Sequence, residues 1–480
     1  MNNHNFIEYE PDAETVDLIR RYENAVQKRS KDYFDEEEFE AIIDHYLNIN
    51  KSVEAITAVD RASKQYPYST DLKLRHADIL IVKGDASRAL QILQTAEQMD
   101  GCSGDVLFLK GRAYVKLGNF NAANECFEKG WQAEDDDEER EWKCFISAGD
   151  WIDVKEYKLA IHCFKKIIDN NPEHEQALND IAYCYDRLGD SQTAIQYYND
   201  CIAVNPFSDA AWYNLGNVHN SHERYEEALQ AFDFAIAVNP QNSSALYNRA
   251  ATLIELERFS DAIESFKEYM QFDINNAQAL CAIAECYENI NAPAKALKYY
   301  MSAIKIDPEC ADAYYGKGLI MIDRTHYDAA LECLHRAICI KPKAEYFYGM
   351  GVLMLRINAD DVALMAFRRS AELDPYDIES WLIVSELVGS TDLRGALGVL
   401  DEAHVHNPHK VVVFFRKAAL YYILKDKKSC LASLEQALKL SGETDSDDFL
   451  TICPEAVKDK RIKALYARYK NNDISTTSES

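Results

Sequence analysis

The chain is poor in residues that hinge or interrupt a fold. Of its 480 residues only 11 are proline and 17 are glycine. No Pro/Gly/Ser-rich stretch divides its middle, so a flexible linker between separate domains has no candidate there. A long apolar run is missing too. A membrane-spanning helix needs roughly 18 such residues, and the nearest approach, VVVFFRKAALYYILKDK, is cut by Arg416 and Lys417. The opening MNNHNFIEYEPDAETVDLIRRYENAVQ is acidic, lacks an apolar centre and does not read as a secretory signal. Thirteen cysteines occur without one CxxC pair, an odd number that argues against a disulfide framework and for a reducing cytoplasm. Basic charge is short as well: 52 Lys and Arg face 80 Asp and Glu, a net −28 at pH 7. Phosphate binding needs a basic footprint, so nucleic acid and an anionic membrane surface are poor partners. The acidity either keeps a large surface soluble or admits a basic protein or peptide partner.

Catalytic signatures are equally scarce. The sequence has no G-x-x-x-x-G-K-[ST], no G-x-G-x-x-G after a strand, no H-E-x-x-H and no G-x-S-x-G. His404, His406 and His409 cluster in HVHNPH, but no cysteine or carboxylate stands beside them in a fixed frame. His219 and His222 lie three apart, and His219 reads as a packing residue. The expectation is a protein without an active site, a metal or a cofactor.

What is present is a period. Eight prolines close comparable stretches: Pro67, Pro172, Pro206, Pro240, Pro308, Pro342, Pro375 and Pro408, with Ile274 at the place between Pro240 and Pro308. Twelve residues before each closing position stands Ala55, Ala89, Ala123, Ala160, Ala194, Ala228, Ala262, Ala296, Ala330, Ala363 or Ala396, and a twelfth copy carries Cys430. The steps are 34 residues, except 37 from Ala123 to Ala160 and 33 on either side of Ala363. Such a period marks a repeat array.

Within one copy, Ala211 to Pro240, Leu215, Val218 and His219 recur at helical spacing beside Trp212 and predict a first helix with one buried stripe. Ala228, Phe232 and Ala235 at i, i+4 and i+7 predict a second helix, which Pro240 ends. Gly216 falls where the two backbones must approach closely. Equivalent places hold Ala77, Gly111, Ala148, Ala182, Ala250, Ala284, Gly318, Gly351 and Ala418, with Ile43 and Val384 the exceptions. A hairpin with two apolar faces cannot bury both alone, so neighbouring copies must stack.

Trp212, Leu215, Gly216, Ala228, Phe232, Ala235 and Pro240 resemble the signature of the tetratricopeptide repeat, although His219 replaces its usual tyrosine. Leu107, Gly111, Tyr114, Ala123 and Phe127 form a second matching copy. Leu280, Ala284, Tyr287, Ala296, Tyr300, Ala303 and Pro308 form a third. The resemblance spans about Glu36 to Thr444 in twelve copies and implies an all-α, right-handed superhelix, an α-solenoid of antiparallel hairpins. It also implies a concave groove lined by the first helices. Reading its expected positions here gives an aromatic series at the fifth place: Phe108, Phe145, Tyr213, Tyr247, Tyr315, Tyr348, Trp381 and Phe415, interrupted by Asn179 and Cys281. The ninth and neighbouring places add Tyr183, Asn217, Glu285 and Glu288, with Asp186, Asp312 and Asp323 nearby, and Asn248 stands beside Tyr247. Rings would offer apolar area to an extended peptide and carboxylates would select basic side chains. Tyrosine at the fifth place also serves packing alone. Some members clamp an anionic C-terminus with Lys and Asn; here Asn217 and Asn248 match, but Tyr213 replaces the lysine, and Gln278 and Ala282 replace later basic residues.

Both flanks read as accessories. Residues 1–35 form an N-terminal helical cap whose stripe is Val16, Ile19, Tyr22 and Val26. Residues 445–470 form a C-terminal capping helix that begins at Pro454 and carries Val457, Ile462, Leu465 and Tyr469. Residues 471–480 form a disordered tail. The inserted acidic stretch AEDDDEERE, Ala133 to Glu141, marks a possible seam near 135–141. Two classes of function stay open: a non-enzymatic scaffold or adaptor that binds protein segments in the groove, and a regulatory subunit of a cytosolic enzyme complex bound through the outer face. Exposed aromatics on the outer helices would favour the second.

Overall fold

The computed structural model describes residues 12–28, 32–101, 103–441 and 448–476, with side chains as far as 469. Among the described residues it contains helices and turns and no strand. A helix, α1 (Ala13–Gln27), precedes twelve hairpins. The first six hairpins pair α2 (Glu36–Asn48) with α3 (Ser52–Gln65), α4 (Thr70–Val82) with α5 (Ala86–Asp100), α6 (Gly104–Lys116) with α7 (Phe120–Ala133), α8 (Asp137–Asp153) with α9 (Tyr157–Asn170), α10 (Glu175–Arg187) with α11 (Ser191–Val204), and α12 (Asp209–Ser221) with α13 (Tyr225–Val238). The other six pair α14 (Ser243–Glu255) with α15 (Phe259–Tyr269), α16 (Ala277–Asn289) with α17 (Pro293–Ile306), α18 (Ala311–Asp323) with α19 (Tyr327–Ile340), α20 (Ala344–Arg356) with α21 (Asp360–Leu373), α22 (Ile378–Gly389) with α23 (Leu393–His406), and α24 (Val411–Ile423) with α25 (Lys427–Ser441). The chain divides into two compact units, residues 1–245 and 246–480.

The repeat chemistry read from the sequence is visible in the packing. All eleven period-setting alanines, from Ala55 to Ala396, have no exposed surface, and Cys430 in the twelfth copy is 2% exposed. An ideal Cβ built on Gly216 would stand 2.6 Å from the ring of Phe232, which confirms why that place must stay small. Gly111 meets Phe127 and Gly351 meets Phe367 in the same way. Ile43 and Val384, the two large exceptions, are fully buried.

Turn chemistry inside the hairpins is a feature the sequence reading missed. Eleven of the twelve turns place one residue at positive φ, between 56° and 86°. Three are Gly84, Gly118 and Gly189, where the left-handed region carries no steric cost; the rest include Asn50, Glu223, Thr325 and Lys425. In the sixth hairpin the Arg224 amide donates to the His219 carbonyl at 3.0 Å and the Glu223 amide to Asn220 at 3.1 Å. These bonds satisfy the last carbonyls of α12 and reverse the chain.

The three-residue insertion is taken up by α8, which is 17 residues long where most first helices have 13. Asp136 caps it by accepting from the Glu138 and Glu139 amides, and Asp137, Glu138 and Glu139 fill its first turn, where the helix dipole favours anions. Lys143, only 2% exposed, meets Asp105 at 2.6 Å, Glu139 at 3.5 Å and Glu134. The sequence places a candidate seam here; in the structure one apolar cluster runs through the position, from Ala77 to Cys184.

The flanks differ in detail from the expectation. On α1, Ile19, Tyr22 and Ala25 are buried against the first hairpin, whereas Val16 and Val26 are exposed, so the stripe is displaced to Ala25. Residues 1–11 and 445–447 lie outside the described residues. The C-terminal segment is not one helix from Pro454 but α26 (Asp448–Ile452), a 3-10 turn (Pro454–Lys458) and α27 (Lys460–Thr476). Phe449, Cys453, Ala456 and Ile462 bury against Phe414, Ala418 and Leu434 of the last hairpin, while Val457 is exposed. Helix α27 extends through residues 471–476, into the stretch read as a tail; residues 477–480 lie outside the described residues.

Candidate functional site

First helices of successive hairpins approach one another directly within each unit: α4, α6 and α8, and α10 with α12, in the first; α16, α18 and α20 in the second. This puts equivalent positions of neighbouring repeats on one shared face. The sequence-predicted ring series occupies that side only in part. Phe108 and Trp381 are each 4% exposed and belong to the core, a correction to their reading as groove residues. Phe108 packs on Phe127 and Trp142, and Trp381 donates its indole N–H to the Pro375 carbonyl at 3.1 Å.

Phe145, Tyr213, Tyr247, Tyr315 and Tyr348 are half-buried. Four of them lean on the second-helix ring of their own hairpin: Phe145 on Phe164 (5.6 Å between centroids), Tyr213 on Phe232 (6.1 Å), Tyr247 on Phe266 (5.4 Å) and Tyr348 on Phe367 (5.3 Å). Tyr315 instead meets Tyr346 of the next hairpin at 4.9 Å. Tyr183 is exposed and stands edge-on to Tyr157. Much of the fifth-place aromatic signal is therefore packing within a repeat. Asn217 belongs to the first unit; Tyr247 and Asn248 belong to the second, and both asparagines are half-buried.

The charges on this face differ along the chain. In the first unit they compensate one another. Arg75 pairs with Asp44; Arg112 reaches Asp78 at 2.5 Å and Asp150 at 2.9 Å, joining three successive first helices. Burial pushes the Asp150 carboxyl up, against the pull of Arg112. In the fifth and sixth hairpins amides take over: Asn214 donates to Asn179 at 3.1 Å, and Asn179 to Asp180 at 3.2 Å. Burial raises the Asp180 carboxyl to about 6.

The second unit gathers carboxylates. Glu285 and Glu288 on α16, Asp312 on α18 and Glu345 on α20 influence one another electrostatically, and Lys343 stands among them. Glu285 is exposed at its surface yet crowded by the surrounding face, which raises its carboxyl; Asp312, Glu288 and Glu345 raise it further. Burial also raises Glu288, with Asp323 adding to it, although Tyr300 donates to it at 2.7 Å. Asp312 is the compensated member. Burial would push it up, but hydrogen bonds from Lys343 (2.6 Å) and Tyr346 hold it below the usual carboxylate range. Burial, Glu345 and Glu288 push the Tyr315 phenol up to about 12. Tyr348 donates to Glu379 at 2.8 Å. The sequence reading singled out Glu285, Glu288, Tyr315 and Tyr348; it missed Glu345 and Glu379 and the equivalent places Asp44, Asp78 and Arg112, of which Asp78 and Arg112 pair. The exact 34-residue spacing of that triplet was the available signal.

Among the described residues no group of three or more His, Cys, Asp or Glu is arranged to hold a metal ion, and no helix is long and apolar enough to cross a membrane. His404 packs edge-on to Phe414 at 4.9 Å, and His406 stacks on Trp381. Burial lowers the His219 imidazole, in keeping with its packing place.

Comparison with known proteins agrees with this architecture. Four family profiles described as tetratricopeptide repeat match residues 80–141, 163–196, 210–242 and 277–310. The chain belongs to the tetratricopeptide repeat proteins, as an all-α solenoid of twelve hairpins. It is similar to anaphase-promoting complex subunit 3 of Schizosaccharomyces pombe, 25% identical over 175 residues, which are 36% of this chain and 26% of that protein. The chain thus matches about a quarter of that relative's length. Among solved structures, YrrB, described as a TPR protein with an unusual peptide-binding site, shares 24% identity over 41% of this chain and 97% of its own, with a TM-score of 0.36. A tetratricopeptide repeat protein from Parabacteroides merdae shares 17% over 52% and 97%, with a TM-score of 0.41.

Proposed function

We propose that the chain is a non-enzymatic interaction scaffold that holds an extended basic segment of a partner protein against the first helices of the eighth to tenth hairpins. The observation that carries this reading is the contrast in charge. Repeats one to four tie carboxylates to Arg75 and Arg112, whereas Glu285 is crowded by Glu288, Asp312 and Glu345, of which the last two share one cation, Lys343. Carboxylates raised by burial and mutual repulsion are stabilised when a lysine or arginine arrives between them. Tyr315 borders Glu288 and Glu345, and Tyr348 stands near Tyr315 and on Glu379, so both can meet the aliphatic stems of such side chains. Net charge −28 favours protein over nucleic acid as the partner. The twelve described cysteines are free thiols, in keeping with a cytoplasmic location. The resemblance to a subunit of a multiprotein complex supports an assembly role.

A set of Lys/Arg-containing peptides titrated calorimetrically tests the reading. Glu285→Gln with Glu288→Gln weakens binding about tenfold, roughly 1.4 kcal/mol, and flattens its salt dependence. Because both carboxyls are raised, affinity of the unaltered protein climbs as pH rises above the ordinary carboxylate range and they ionise. An unchanged affinity in the double variant refutes the site.

A second reading has its own support. On the second helices and the turns after them, Phe207, Phe234, Phe272 and Tyr376 are 78%, 53%, 48% and 73% exposed. Exposed aromatics there favour a partner bound through the outer face, as in a regulatory subunit. Loss of binding on Phe234→Ala, with the carboxylate variants unaffected, would select it.

A further inference from the structure

Cys281 lies on α16 at the fifth place of its repeat, where most copies carry a ring, and Cys310 is the N-cap residue of α18 in the next repeat. Their sulfurs stand 3.6 Å apart, and the two residues are 4% and 8% exposed. We propose that Cys281 and Cys310 form a reversible disulfide joining the eighth and ninth hairpins when the protein meets a peroxide. Buried thiols elsewhere in the array serve as small packing groups. This pair differs because it spans two repeats at contact distance and because the two sulfurs occupy unlike positions.

Cys281 projects from within a helix. Cys310 sits at the positive end of one, as the N-cap residue of α18, where the helix dipole favours a thiolate. The hydrogen bond with Cys281 is the main influence that draws the Cys310 thiol down to about 7; the Ala313 amide adds to it, and burial opposes both. Hydrogen bonding to Cys310 and burial raise the Cys281 thiol. Cys310, at a helix N-terminus and the more exposed of the two, is the nucleophile, and Cys281, within a helix, the resolving thiol.

The chemistry balances with hydrogen peroxide as oxidant. The Cys310 thiolate attacks one peroxide oxygen, the O–O bond breaks, and hydroxide leaves as the sulfenic acid forms. The Cys281 sulfur then attacks the sulfenic sulfur. An S–S bond forms, the S–OH bond breaks, and the hydroxyl departs as water with the Cys281 proton. Two electrons pass from the two thiols to the peroxide. The sulfurs have only to close from 3.6 Å to about 2.05 Å. All of α17 lies between the two cysteines in the chain, so the bond would pin α16 to α18, the helices that carry Glu285 and Asp312.

The test uses the full chain, reduced and then exposed to graded hydrogen peroxide, with free thiols alkylated before peptide mass mapping. The peptides bearing Cys281 and Cys310 should appear joined and two hydrogens lighter, at lower peroxide than is needed to oxidise the exposed Cys339, and should separate with dithiothreitol. Cys310→Ser should abolish the joined species. Cys281→Ser should leave Cys310 as a sulfenic acid trapped by dimedone, and Cys286→Ser should change nothing. Recovery of Cys281 and Cys310 as free thiols after Cys339 has oxidised overturns the proposal. So does equal joining in the urea-unfolded chain, which would show that the native geometry contributes nothing. Both readouts use the unaltered protein and do not depend on a variant folding.

Discussion

Replacing Gly216 with alanine isolates the close approach on which each hairpin depends. The new Cβ would lie 2.6, 2.8 and 3.0 Å from three ring atoms of Phe232, where carbon atoms prefer about 3.5–4 Å. The ring must retreat by roughly 0.9 Å, yet it has no exposed surface and Tyr213 leans on it from the first helix. Overpacking of this size costs about 1–3 kcal/mol. Alanine is also the better helix former, by about 1 kcal/mol, which masks part of the loss. Gly149→Ala supplies the reference, since Gly149 is an exposed position inside α8 with nothing within 4 Å of a built Cβ. Gly149→Ala should stabilise by about 0.5–1 kcal/mol, and the difference between the two variants should recover the 1–3 kcal/mol of the clash. Ala148 and Ala250 hold the equivalent place in the fourth and seventh hairpins, with Phe164 and Phe266 following at the same sequence interval, so the close approach to a phenylalanine ring belongs to hairpins that carry glycine there, the third, sixth and tenth. Urea unfolding gives the net change. Hydrogen exchange should place the loss in α12, α13 and their neighbours, because repeats couple to adjacent repeats. Equal stabilisation by both substitutions, or exchange that rises evenly along the chain, would refute the reasoning.

Thr325 holds a β-branched side chain at φ 60°, so Thr325→Gly should raise stability by about 1 kcal/mol, measured by urea unfolding. Arg112→Ala leaves the 6%-exposed Asp150 without its closest cation and should cost about 3 kcal/mol at pH 7. That loss should shrink as pH falls through the carboxylate range, because a carboxyl raised in the folded state takes up its proton early and then needs no partner. Glu285 is raised in the same sense: its ionised form is disfavoured on folding, and the penalty appears as pH climbs above the ordinary carboxylate range. Thermal scans of Glu285→Gln should show a higher melting temperature than the parent at pH 7 and the same one at pH 4.

The period, the two-helix unit and the buried alanine column were legible in the sequence because they rest on local periodicity and on the size of a single side chain. Ala228, Phe232 and Ala235 lie on one helix, and their common burial follows from helical geometry alone. The interaction face was legible only in part. Whether a fifth-place ring is free or buried depends on what the next helix presents to it, so Phe108 and Trp381 became core while Tyr315 turned to Tyr346 of the next hairpin. The turn residues at positive φ escaped notice because glutamate, lysine and threonine give no warning of a left-handed backbone. Asp78 and Arg112 stand 34 residues apart, but only the stacking of first helices turns that interval into an ion pair. Sequence determined the hairpin and its repetition, since those depend on neighbours along the chain. Tertiary structure decided which charges pair with one another and which, around Glu285, crowd like charges instead, since that depends on residues a full repeat apart.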